Sequence, residues 1–180
     1  MNTAAKRVEA IKRYQEERLN ACKEITINAY QTYPFKSIRI ENFTSFTNLV
    51  WIVGGEARNQ CSLGQQAVAQ VVMNRWFAQR GYFGLSVTDV IHKNNGRGVY
   101  QFSAASPKNV NYRWWFDEDE KVWSEIAKNV APIFYFELTV LPADCFYYHT
   151  NKITPPSWTE RLIKYKEIQD HIFYTEKRRS

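Results

Sequence analysis

Leu49-Val50-Trp51-Ile52-Val53-Gly54-Gly55-Glu56-Ala57-Arg58 is the stretch on which the reading of the fold turns. Its five leading apolar residues leave no polar face, so a helix here is buried on all sides rather than laid on a surface. Thr47 and Asn48 are both competent N-caps, and the helix is predicted to begin at one of them. Gly54 and Gly55 then permit close approach of another backbone, or the end of the helix. Glu56 is the only acidic residue between Asn42 and Thr88. A carboxyl behind so apolar a segment is expected to be partly desolvated, and at a helix end it meets the negative pole of the macrodipole; both favour a retained proton. That is the state a general acid needs in order to protonate a leaving oxygen. The plainer alternative is a helix-edge carboxylate paired with Arg58 or Arg75.

Downstream, Ser62-Leu63-Gly64-Gln65 has the form of a capping box. It predicts a helix to about Gln79, with Ala67, Val68, Val71, Val72 and Trp76 as its apolar stripe and Gly81 as its stop. A short helix is predicted over Ser86 to His92, a loop over 93–98, and a further helix from 117 to about 130. Asp117, Glu118 and Asp119 suit that helix's positive end, and Pro132 perturbs or terminates it. Cys145 to His149 and Ile168 to Tyr174 read as short strands, with Pro155-Pro156 in a loop between them. Upstream, Ala4, Val8, Ile11, Leu19, Cys22, Ile25 and Ala29 recur at helical spacing as far as Pro34. Residues 35–46 read as a connector. The fold class is α+β and mostly helical, with a small C-terminal β element and an extra N-terminal helix. Residues 1–46 form the N-terminal helix and connector; residues 47–180 form the main domain.

The totals narrow the function. With 24 basic and 18 acidic residues the formal charge is +6, which favours anionic partners. No block of five or six like charges supports nucleic-acid binding. Six Trp, eleven Tyr and eleven Phe fill a core or line a sugar cleft. Cys22, Cys61 and Cys145 are too scattered for a zinc site and read as reduced thiols. No metal and no cofactor is expected, and no apolar run reaches membrane-spanning length. The N-terminus lacks an apolar h-region, so a cleavable secretion signal is not expected.

The residues so far resemble the cell-wall hydrolases typified by the spore cortex-lytic enzymes. That family shows an acid-Ala pair after an apolar helix, then a Gly, an Ala-Val-Ala run and an Asn-Arg pair. Here these are Glu56-Ala57, Gly64, Ala67-Val68-Ala69 and Asn74-Arg75. A second block is Ser86-Val87-Thr88-Asp89-Val90-Ile91 with Gln101-Phe102-Ser103. A third is Tyr147-Tyr148-His149, Pro155-Pro156-Ser157-Trp158 and Ile168-Gln169-Asp170-His171-Ile172-Phe173-Tyr174. The resemblance covers roughly residues 47–174. It implies a lysozyme-like fold, peptidoglycan glycan strands as partner, and cleavage between N-acetylmuramic acid and N-acetylglucosamine with Glu56 as catalytic acid. Two departures stand out. Asn59-Gln60 occupies the place where relatives often carry a second acid, and Gln169 stands where a Gly is common.

Under this resemblance Gln101 and Ser103 are expected in the cleft. Phe102 stacks on a sugar or fills the core. On a strand, Tyr147 and His149 share one face and Tyr148 takes the other. His149 binds a carbonyl, orients Glu56 or is structural, and His171 is read as structural. Trp158 stacks on glycan or closes the core, and Trp114-Trp115-Phe116 line the cleft or seal a helix. An ordinary glycosidase needs a second carboxylate. The candidates Asp89, Asp117 to Glu120, Glu125, Glu137 and Asp144 lack so distinctive a setting. A lytic transglycosylase needs none, because the muramic 6-hydroxyl attacks its own C1. That reading leads; a muramidase using Asp89 or Asp144, and a non-catalytic wall-binding or virion module, are the alternatives. A wall substrate without an export signal suggests a phage lysin. Because the motif blocks begin after the N-terminal helix, a truncation starting near Pro34 is expected to retain activity on solubilised glycan strands. A cooperatively folded but inactive truncation would show that the helix helps build the site.

Overall fold

The structure is a computed structural model, and it describes residues 43–114 and 118–177. The expected N-terminal helix, most of the connector, Trp115, Phe116 and Asp117 lie outside the described residues. The fold is α+β and mostly helical, with a small C-terminal sheet, as the sequence implies.

Helix α1 (Phe43–Ala57) is the hub. It packs against α2 (Ser62–Phe77), α3 (Val87–His92), α4 (Glu120–Phe134) and two 3-10 turns, η1 (Ser103–Ala105) and η2 (Val110–Arg113). Leu49, Val50, Ile52 and Val53 have no exposed surface. Each such side chain contributes about 1.5–3 kcal/mol of apolar burial. Its start differs from expectation: Phe43 to Phe46, read as connector, are already helical, and Thr47 and Asn48 lie inside the helix. Asn48 caps nothing; its Nδ2 donates to Thr88 Oγ1 of α3 at 3.1 Å. Packing of the fully buried Phe46 between α1 and the rings of Phe134 and Tyr135 outweighs the local cap signal.

The capping box at Ser62 does not form. Cys61 is the N-cap of α2 without a side-chain bond, and Gln65 faces the preceding loop instead. Gln65 Nε2 donates to Arg58 O and Gln60 O, and its Oε1 accepts from Asn129 of α4. One amide thus serves the carbonyls left open beyond α1. Helix α2 ends at Phe77, where Gln79 rather than Gly81 turns left-handed with φ 48°. Helix α3 forms where the short helix was expected, beginning at Val87, and Ser86 caps it: its hydroxyl accepts from Asp89 N. Helix α4 begins at Glu120 rather than 117, capped by Asp119, and runs through Pro132. A proline so near the C-terminus removes only one helical bond, and its carbonyl accepts from Glu137 and Leu138 N–H.

The sheet contains β1 (Cys145–Thr150), β2 (Leu162–Ile168) and β3 (His171–Glu176), antiparallel in the order β1-β3-β2, with a 3-10 turn η3 (Ser157–Arg161) before β2. The single strand expected over 168–174 is a hairpin turning at Gln169-Asp170. The turn forms without glycine, with Gln169 itself left-handed. Helix α2 fastens to β1: Asn74 donates to the carbonyls of Pro142 and Cys145, and Arg75 to that of Phe146 at 2.7 Å. Cys61 and Cys145 are free thiols.

Two glycines set the spacing at the hub. A Cβ on Gly54 would fall inside the Trp114 ring, and one on Gly55 would lie 2.6 Å from Ala104 Cβ. Trp114 stacks on Trp123 with centroids 4.6 Å apart and donates to Trp51 O at 2.9 Å. Trp114 therefore seals the helices and lines no cleft. Gly54→Ala is expected to lower stability by about 1–3 kcal/mol or more through overpacking. An unchanged urea midpoint would refute this account of the contact.

Candidate active site

Glu56 sits in the last turn of α1, half-buried, where Gly55 lets η1 approach. Its Oε1 accepts from Ala104 N–H at 2.7 Å and Ser103 Oγ at 3.0 Å. Its Oε2 accepts from the Tyr148 hydroxyl at 3.0 Å. The carboxyl is thus gripped from two sides, by a turn and by a strand distant in sequence. Ser103 is exposed, so the arrangement opens to solvent on that side.

Tyr148 reaches Glu56 because β1 alternates, as expected. Its ring packs beside Phe102, His171 and Phe173. Burial, and then the charge of Glu56, push its phenol well above the ordinary value of 10.0. Tyr148 therefore keeps its proton at any working pH. Arg75 lies beneath this assembly, 6% exposed, with its guanidinium 4.7 Å from the Phe102 ring centroid. Burial lowers it to about 10, against the opposing fields of Tyr148, Tyr147 and Glu56. It remains a cation at neutral pH.

The residues singled out from sequence divide clearly. Glu56, Ser103 and Tyr148 come together. Gln101 is committed elsewhere: its Oε1 accepts from Arg75 and its Nε2 donates to Tyr82 O. Phe102 is 1% exposed and fills the core. Tyr147, His149 and Trp158 cluster on the face of the sheet opposite Tyr148. His149 Nδ1 lies 2.8 Å from Thr150 O and must donate there, so Nε2 accepts from Tyr174 OH at 2.9 Å. Both its nitrogens are used, and neither meets Glu56. Nor do Arg58 or Arg75 bond Glu56: Arg58 engages Glu118 at 3.0 Å and Asn111 at 2.9 Å. His171 is buried edge-on against Tyr148 with no partner for Nδ1, and desolvation lowers its basicity.

Sequence reasoning missed the Ala104 amide, since a backbone donor has no residue signature. It also missed the fastening of the loop after Glu56. Gln60 Nε2 donates to Asp170 Oδ2 and Gln60 Oε1 accepts from Asp170 N–H, while Gln169 Oε1 accepts from Cys61 N–H. The two departures from the family pattern, at Gln60 and Gln169, belong to one junction. Among the described residues, no group of three His, Cys, Asp or Glu is placed to hold a metal, and no helix is long and apolar enough to cross a membrane.

Residues 59–174 match the sequence model of the cell wall hydrolases. The chain belongs to the cell wall hydrolase family. The matched span includes Ser103, Ala104 and Tyr148 and begins three residues after Glu56. No curated protein and no solved structure matches the chain. Membership makes this an enzyme of the cell wall, and the Glu56 cluster is its candidate centre. Tyr148→Phe keeps the packed ring and removes one donor from Glu56. It is expected to lower kcat by on the order of tenfold with KM and melting little changed. An unaltered kcat would remove Tyr148 from the site.

Proposed function

We propose that this cell wall hydrolase has a lysozyme-like active site. It cleaves the β-1,4 bond between N-acetylmuramic acid and N-acetylglucosamine, with Glu56 as the sole catalytic carboxyl, and releases 1,6-anhydro products. The observation that carries the reading is the set of three donors on Glu56 with no second carboxylate bonded into it. Among the described residues, neither Asp89 nor Asp144 is hydrogen-bonded to Glu56, and Glu118 pairs with Arg58.

The donor set favours one oxygen as the bearer of the transferred proton. An amide N–H can only donate, so Oε1 stays an acceptor, and a proton carried by Glu56 belongs on Oε2. Tyr148 can accept from a protonated Oε2 and donate to a bare one. In the first step Oε2–H gives its proton to the glycosidic oxygen as the bond from that oxygen to muramic C1 breaks. The muramic O6 then bonds to C1, and its proton returns to the Glu56 carboxylate. The enzyme ends in its starting state, and no water is consumed. The attacking hydroxyl is tethered to the sugar it attacks, so effective molarity replaces a positioned water.

Glu56→Gln is expected to fold and to lose wall-clearing activity by on the order of a hundredfold or more. Mass spectrometry of wild-type products is expected to show termini lighter by one water than hydrolysed ones. Neutralising Asp89 or Asp144 singly is expected to leave turnover within about tenfold. Solvent oxygen from labelled water at the new reducing ends, with collapse of activity in Asp89→Asn or Asp144→Asn, would make the enzyme a muramidase instead.

A further inference from the structure

The chain that crosses over Glu56 has a one-sided charge record. From Val90 to Phe116 the sequence has no acid, yet it carries Lys93, Arg97, Lys108 and Arg113. Among the described residues none of these four side chains forms an ion pair or hydrogen bond. The arginines closer to the core are all engaged: Arg58 with Glu118, Arg75 with Phe146 and Gln101, Arg80 with Glu176. Four cations with no partner among the described residues, along one stretch of chain, raise the local positive potential.

The packing brings two of them, Lys93 and Arg113, close together and runs the chain between them past Glu56. Trp51 of α1 is flanked by the rings of His92 and Tyr112, with centroids 5.4 and 5.6 Å away, and donates to Tyr112 O. Lys93 and Arg113, the next residues along, therefore sit at neighbouring points of the rim. Between them the chain passes through Ser103 and Ala104, which hold Glu56, and Asn111, whose carbonyl approaches Gly55. Lys108 lies on this crossing segment, and Val110 beside it is 92% exposed. Arg97, Lys108 and Arg113 are exposed, and Lys93 is half-buried. Of the described acids that border the stretch, Glu118 pairs with Arg58, Asp119 caps α4, and Asp89 lies beside His92.

We propose that this basic segment binds the carboxylates of the stem peptides on the substrate's muramic acid residues, so that the enzyme prefers glycan strands whose stem peptides keep those carboxylates free. The inference rests on the peptidoglycan reading of the Glu56 cluster. A glycan strand is neutral along its N-acetylated sugar rings. Its negative charge is carried by peptides on every second sugar, and these lie within reach of a segment beside the scissile bond. Anionic polymers attached elsewhere in the wall do not recur at each disaccharide.

The test compares wild type with the Lys108→Gln/Arg113→Gln double variant on two substrates: purified peptide-bearing strands free of phosphate polymer, and the same strands with their peptide carboxylates converted to methylamides by carbodiimide coupling. Removing the peptides with an amidase would not serve, because it uncovers a lactyl carboxylate on every muramic acid. Both positions are exposed, and matching thermal melts establish that the variant folds. Wild type is expected to show kcat/KM about tenfold higher on the unmodified strands, an advantage that fades as salt rises from about 0.05 to 0.5 M. The double variant is expected to lose most of that advantage through KM, and to differ from wild type by less than about twofold on the amidated strands. Equal losses on both substrates, or no loss on either, would overturn the proposal. So would a variant defect that appears only on whole walls retaining their phosphate polymer. Turnover of neither substrate by wild type would instead overturn the peptidoglycan reading itself.

Discussion

The contact of Trp114 and Ala104 with the Gly54-Gly55 step of α1 is the constraint on which the site depends. A helix buried on all sides ordinarily keeps its neighbours at side-chain distance. Here the absence of two Cβ atoms lets an indole and a 3-10 turn lie against the helix backbone. The closeness at Gly55 is what places the Ala104 amide 2.7 Å from the Glu56 carboxyl. The Trp114–Trp123 stack transmits the same spacing to α4, so the core and the surroundings of Glu56 are fixed by one contact.

Opposite that turn, Arg75 holds β1 at its working distance. A buried guanidinium is costly to desolvate, and no carboxylate bonds it directly. It is accommodated by a carbonyl of β1, the Gln101 amide and the faces of aromatic rings. Phe146 precedes the Tyr147-Tyr148 pair, and Gln101 precedes Phe102-Ser103. One cation thereby anchors both segments that bring donors to Glu56.

Much of this was legible in the sequence because it rests on short-range pattern. The unbroken apolar run from Leu49 to Val53 announced a buried helix, and the lone acid behind it stood out as the candidate. Alternation in Tyr147-Tyr148-His149 assigned the faces of β1 correctly. What stayed hidden depends on partners distant in the chain. Asn48 and Gln65 look like cap residues, but tertiary neighbours claim their amides. Gln101 looks like a sugar ligand, yet it braces Arg75. Strand β2 is an edge strand, exposed along most of its length and interrupted by a bulge between Lys164 and Lys166. It therefore shows no core-facing signature. The Ala104 amide belongs to the backbone and cannot be read from residue identity.

The junction between Gln60 and Asp170 spans 110 residues. Closing so long a loop comes late when a chain folds, because its entropy must be met before the non-local contacts it brings can repay it. Tyr148 and the hairpin tip are made long after α1, so Glu56 waits for its second wall until β3 has emerged and paired. During synthesis the partly made chain carries Glu56 without the donors that surround it in the finished fold. An enzyme directed against the wall thus acquires its working form only when translation of the sheet is complete.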